Sequence, residues 1–276
     1  MSESIFAERD GWFTPTEHAS GPWDPRALHG GAPAALMTRA FERMEPGSDL
    51  RIARLGFEFL RPIPFAPLLL STRIVRPGRR VQELAGELST ASDGGSPGEV
   101  VCRASALRVR EVPADLPRHD APSPRYAGGE DYGTRMAPPQ DAEPLDFALD
   151  DSKRAGFGFT AMEMRALGDV RRLGPGRVWM RLRHPLLPGE PPTALMRLAA
   201  TADFGNGVSA VLPFDRFLFI NADLTIHLHR PALGEWIGLD ARTVLHGGGT
   251  GLSESVLHDL QGPVGRAFQT LVVQPR

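Results

Sequence analysis

Pro33-Ala-Ala-Leu-Met-Thr-Arg-Ala-Phe41 and Pro192-Thr-Ala-Leu-Met-Arg-Leu-Ala-Ala-Thr-Ala-Asp203 are two versions of one helix. Each opens on a proline, which suits the first helical turn because the N–H it lacks would have no partner there. Each carries Ala-Leu-Met near its start, at 35–37 and at 194–196. Leu36, Met37, Ala40 and Phe41 recur at helical spacing and predict one apolar face. Glu45-Pro46-Gly47 stops the first helix; Gly205 and Gly207 stop the second.

An alternating strand ending in Arg-Pro follows each helix. Leu55, Phe57 and Phe59 share one side before Arg61-Pro62, and Leu224, Ile226 and Leu228 share one side before Arg230-Pro231. The parity matches at an offset of 169 residues, from Leu55 to Leu224. Further strands are expected over 68–75, 81–88 and 100–109, and again over 235–244, 253–260 and 264–273, with glycine turns at Pro77-Gly78 and at 247–249. One helix and an antiparallel meander, twice over, is an internal duplication. The expected fold is α+β, a double hotdog: two tandem units, each a sheet wrapped around a central helix.

The chain has 276 residues, 41% apolar and 23% charged, enough for a sizeable core. Its 31 basic and 33 acidic residues give a net charge of −2, which argues against a broad nucleic-acid surface. All the basic residues except Lys153 are arginine, a compositional bias with no functional content. Cys102 is the only cysteine, so an internal disulfide and a cysteine-based zinc cluster are excluded. No signal peptide is visible at the start, and no apolar run reaches the roughly 20 residues of a membrane span. A cytoplasmic protein is expected, with exposed sheet edges that favour a homo-oligomer. Prolines and glycines crowd the stretch from 111 to 143. The expected organisation is a first unit over 1–111, an exposed linker over 112–145, and a second unit over 146–276 that carries the active site.

Six blocks occur in order: His29-Gly-Gly-Ala-Pro-Ala-Ala-Leu-Met37, Phe57-Glu-Phe-Leu-Arg-Pro62, Val75-Arg-Pro-Gly-Arg79, Val178-Trp-Met-Arg-Leu-Arg183, Ala202-Asp-Phe-Gly-Asn-Gly207 and Asp223-Leu-Thr-Ile-His-Leu-His-Arg-Pro231. Together they resemble the TesB-like, type II acyl-CoA thioesterases, which are double hotdog proteins. The resemblance implies an acyl-CoA substrate, a place in fatty-acid metabolism, and no cofactor or metal. It also implies a water held by an Asp on the second helix, a Thr or Asn on the next strand and a Gln on the last strand. Those positions match Asp203, Asn221 and Gln269. A non-catalytic acyl-CoA or lipid binder and a hotdog enoyl-CoA hydratase are the rival readings; the hydratase lacks a recognisable Asp-x-Asn-Pro-x-His block here.

The residues carry part of this reading unaided. Asp203 continues the stripe of Met196, Ala199 and Ala200, so it faces the core, and it sits at a helix C-terminus. Both placements disfavour a charged carboxylate, which suits a group that must accept a proton near neutrality. The alternative is an Asp that merely caps the turn at Gly205. Gln269 shares parity with the apolar Ala267 and Leu271, and a buried amide there needs partners, catalytic or structural. Asn221 conflicts with its strand: it shares parity with Asp223 and Thr225, opposite Leu224, so only a bulge would turn it inward. By the repeat these residues fall opposite Met44, Ile52 and Ala106, so one competent site per chain is expected, not two.

His29-Gly30-Gly31 precedes the first helix, where free N–H groups and the helix dipole can cradle an oxyanion or substrate; a plain turn is the alternative. Arg76, Arg79 and Arg80 cluster at a hairpin and are candidates for the phosphates of coenzyme A, set against a solvated turn. Gly94-Gly-Ser-Pro-Gly98 is no nucleophile elbow, because no helix follows it. Gly205-Asn-Gly-Val-Ser-Ala210 follows a helix rather than a strand and is no dinucleotide loop. His227 and His229 lie on the polar side of their strand, and Cys102 reads as a small core residue.

Overall fold

The computed structural model describes residues 3–92, 96–112, 135–145, 155–170 and 172–276. The first half contains β1 (Phe6–Arg9), β2 (Trp12–Pro15), α1 (Gly31–Glu42), β3 (Leu50–Phe59), β4 (Leu68–Arg76), β5 (Val81–Ala91) and β6 (Pro97–Arg110). The second contains β7 (Glu143–Pro144), β8 (Met162–Leu167), β9 (Gly176–Leu182), α2 (Ala194–Ala202), α3 (Gly205–Val208), β10 (Phe217–Asn221), β11 (Asp223–Leu228), β12 (Ile237–His246), β13 (Thr250–Asp259) and β14 (Gly262–Pro275). All strands join one sheet in the order β1-β2-β4-β5-β6-β3-β11-β14-β13-β12-β9-β8-β7, with β10 beside β14. This is a double hotdog.

Two details depart from the sequence reading. The strand after each helix does not begin a meander: β3 pairs with β6 rather than β4, and β11 pairs with β14 rather than β12. That placement frees the other edges of β3 and β11 to pair with each other, so neither half is left with a bare central edge. The β1–β2 hairpin and the β8–β9 pair then extend the sheet at its two ends. The second departure is the end of the expected linker. Residues 135–145 are packed, with Met136 and Ala142 buried against Trp179, whose Nε1–H donates to the Ala137 carbonyl at 2.6 Å. Apolar side chains so placed belong to the second half. Residues 113–134 lie outside the described residues.

The duplication is written into the ladder register. Phe57 faces Leu224 and Leu55 faces Ile226, with Gly56 opposite Thr225 between them. The repeat offset of 169 exchanges those two pairs, so the pseudo-two-fold axis passes through Gly56 and Thr225. Ala104 opposite Phe57 and Ala267 opposite Ile226 are related in the same way.

The two helices share one buried core. Gly31, at the start of α1, lies so close to the Ala200 carbonyl near the end of α2 that a β-carbon would overlap it. At the opposite ends, the N-cap Thr193 of α2 donates its hydroxyl to Glu42 of α1 at 2.7 Å. The helices are therefore antiparallel, and each N-terminus meets the other's C-terminus. Among the described residues no helix is long and apolar enough to cross a membrane.

Candidate active site

Asp203 stands as the C-cap of α2 with its side chain 3% exposed. The carboxylate does not cap the following turn. Its Oδ1 accepts from Asn221 Nδ2 at 2.8 Å and from Gln269 Nε2 at 3.3 Å, and its Oδ2 lies 3.0 Å from His29 Nδ1. A carboxylate taken from water needs such partners. The structure thus brings Asp203, Asn221, Gln269 and His29 together.

Asn221 reaches the carboxylate through a one-residue bulge. It ends β10 opposite Leu271, whereas Thr225 in β11 faces Phe268, so the register against β14 slips by one at Ala222. A slip of one reverses which side chains face inward. Phe219 is accordingly buried and Ile220 exposed, the opposite of the parity that β11 alone predicts. The second Nδ2 contact of Asn221 is the Asp223 carbonyl, at 3.1 Å. Both neighbours are acceptors, which fixes the amide with its nitrogen towards Asp203.

Gln269 is 1% exposed on the inner face of β14. Its Oε1 accepts from the backbone N–H of Asn206 at 2.9 Å, so its Nε2 must turn to Asp203, where it also donates to the main-chain carbonyl at 3.1 Å. Asn206 was missed from sequence. It lies in α3, and its own Nδ2 donates to the Phe219 carbonyl at 3.0 Å, tying α3 to the strand that carries Asn221. The Gly205-Asn206-Gly207 block held the only signal, two small residues flanking a polar one. Gly205 has no room for a side chain: a β-carbon would stand 2.8 Å from Gln269 Oε1 and 2.7 Å from Ser255 Oγ.

His29, Gly30 and Gly31 come from the first half. The candidate site, expected from sequence in the second half, therefore draws on residues of both halves. Gly30 packs against the carboxylate; a β-carbon there would stand 2.7 Å from Asp203 Oδ2 and 2.9 Å from Phe59. Among the described residues no acceptor meets the Gly30 N–H. The His29 ring stacks on Phe204 at 4.2 Å between centroids and lies 5.1 Å from Phe157. Phe157 begins a short π-helix over Phe157–Ala161, an element with no sequence signal beyond its aromatic residues.

At the other end of the helix pair the equivalent place is filled. The offset between the Ala-Leu-Met triplets puts Glu190 where Gly31 stands, and Glu190 is paired with Arg39 and Arg43 at 2.8 and 2.7 Å. Buried Arg108 donates to the carbonyls of Phe41 and Met44, at 3.2 and 2.6 Å, and to Gln82 Oε1 at 3.1 Å. Ion pairs and a guanidinium cap occupy that end.

Arg76, Arg79 and Arg80 are not brought to the site. They lie at the β4–β5 hairpin, beside the Arg51 end of β3, whereas the site adjoins its Phe59 end, roughly 26 Å away along the strands. Alternation placed them at a turn but could not say at which end. Burial, with the charges of Asp203 and Glu58, pushes the Cys102 thiol up to about 12, so it is no nucleophile. Among the described residues no group of His, Cys, Asp and Glu is placed to hold a metal ion.

Two family models match the chain. Residues 19–109 match the acyl-CoA thioesterase N-terminal domain, and residues 139–273 match the acyl-CoA thioesterase C-terminal domain. A hot dog fold protein of unknown function from Alicyclobacillus acidocaldarius superposes with a TM-score of 0.69 at 16% identity, over 98% of this chain and 95% of that one. An acyl-CoA thioesterase II from Mycobacterium marinum gives 0.62 at 18% identity, over 91% and 90%. A tesB protein from Mycobacterium avium subs paratuberculosis gives 0.60 at 17% identity, over 97% and 96%. A comparison with curated protein sequences finds no match.

Proposed function

The chain belongs to the acyl-CoA thioesterase family, an enzyme family of thioester hydrolysis, and from that premise we propose that Asp203 is the base that drives the reaction here. Asp203 takes a proton from a water as the water attacks the thioester carbonyl. Asn221 and Gln269, whose amide nitrogens converge on Oδ1, fix the carboxylate and the place beside it where that water sits. The carbonyl oxygen becomes an oxyanion at the N-terminus of α1, where the backbone N–H of Gly30 and the helix dipole stabilise it. Collapse of the tetrahedral adduct breaks the C–S bond. The leaving thiolate, with a pKa of roughly 8.5 by analogy with cysteine, departs without a strong acid.

One observation carries this reading: a buried carboxylate, held by two amides, faces the glycine-rich start of the neighbouring helix. The test is release of free thiol from a panel of short to long acyl-CoAs. Asp203→Asn keeps the hydrogen-bond geometry and should stay folded while kcat drops by about 10²–10⁴. Full activity in that variant removes Asp203 from the chemistry. Hydration of an enoyl-CoA without thiol release would favour the hydratase reading instead.

A further inference from the structure

His29 Nδ1 has two neighbours that make opposite demands on it. The Gly31 N–H points at it at 3.0 Å and needs a lone pair to accept it. Asp203 Oδ2 also lies at 3.0 Å and, as a carboxylate, needs a proton from it. A ring nitrogen offers one or the other in that direction, never both. A hydrogen bond to an ionised acceptor is roughly twice as strong as one between neutral groups, so the carboxylate wins. Phe204 stacks on the ring and Phe157 packs beside it, which holds the imidazole where both neighbours reach Nδ1.

We infer that His29 is a positioning residue whose Nδ1–H is committed to Asp203 and holds the carboxylate in place. No bond to substrate forms at His29. Its Nδ1–H stays on the ring through the cycle while the proton from water goes to Asp203. The role rests on the proposal that Asp203 is the base, yet the tautomer can be observed without any turnover.

The first measurement is the ¹⁵N resonance of the His29 ring in the full-length protein. A protonated Nδ1 is expected, and in Asp203→Asn the signal should move towards the unprotonated range as Gly31 reclaims the nitrogen. An unprotonated Nδ1 in the wild type overturns the inference. The second is a comparison of His29→Asn with His29→Ala. The asparagine amide can place an N–H near the position of Nδ1, so His29→Asn should keep kcat within about tenfold with an unchanged pH–rate profile. His29→Ala, like the loss of other groups that orient a functional ligand, should fall roughly 10–100-fold. Equal loss in both variants would mean that His29 itself exchanges protons with substrate, and the positioning role would be wrong. Full activity of Asp203→Asn with a protonated Nδ1 in the wild type would discard the base while leaving the tautomer standing.

Discussion

A β-carbon on Gly30 has nowhere to go, since the carboxylate of Asp203 and the ring of Phe59 already fill the space. Gly30→Ala should therefore cost about 1–3 kcal/mol of stability through overpacking. It should also push Asp203 off its amide partners and depress kcat more than KM. Thermal unfolding and steady-state kinetics on the purified variant check both. His29-Gly30-Gly31 was legible in sequence as a cradle for an oxyanion or substrate, not as a close contact with a carboxylate. What it approached was not legible, because the neighbour lies in the other half of the chain. Asp203 and Gln269 were readable from apolar stripes on a helix and a strand, since periodicity reports which side chains face inward. Asn221 was legible only as a conflict. A bulge at Ala222 involves no special residue type, so nothing local announces it.

At the scale of elements, the helix pair has two poles that differ in what caps them. One pole holds the candidate site; the other is closed by Arg108, which bonds the carbonyls of Phe41 in α1 and of Met44 just beyond it, and the Gln82 amide. Removing that guanidinium strands buried acceptors, each costing about 1–3 kcal/mol. Arg108→Met, which keeps much of the volume, should lower stability by about 2–4 kcal/mol and leave kcat within twofold, a split that denaturant melts and thiol-release assays resolve. The major strands and both helices were visible as alternation and helical spacing. The order of the strands was not, because pairing β3 with β6 depends on which edges the whole sheet must cover. β1 and β2, four residues each, are too short for a clear pattern, and β9 is buried on both faces. β8, where Met162, Met164 and Ala166 alternate with Glu163 and Arg165, carried a signal that was missed from sequence. The segment 135–145 was misjudged because its prolines outnumber the two apolar residues, Met136 and Ala142, that anchor it.

For the whole molecule, acid is a liability at a place far from the chemistry. His258 on β13 is fully buried, beside Gly238, which packs against Met136 and Trp179, and among the described residues neither ring nitrogen has a partner. Burial, with the charge of Arg177, lowers its pKa from 6.5 to about 4. The unfolded chain binds that proton more readily than the folded one, so stability is undiminished above pH 6.5 and declines as pH falls towards 4. The full loss is about 3 kcal/mol. His258→Leu should abolish that part of the slope in a series of melts between pH 4 and 7.

The junction of the halves has a consequence for how such a chain can change over generations. A tandem duplicate with two independent reaction centres can let one copy decay while the other works. On the proposed mechanism one copy supplies the oxyanion cradle and the other the base, Asp203, with Asn221 and Gln269, while salt bridges fill the reciprocal pole. Neither copy holds a spare. Drift in either sequence is exposed to selection through the same turnover, so the two repeats diverge in residue type while remaining bound to a common fate.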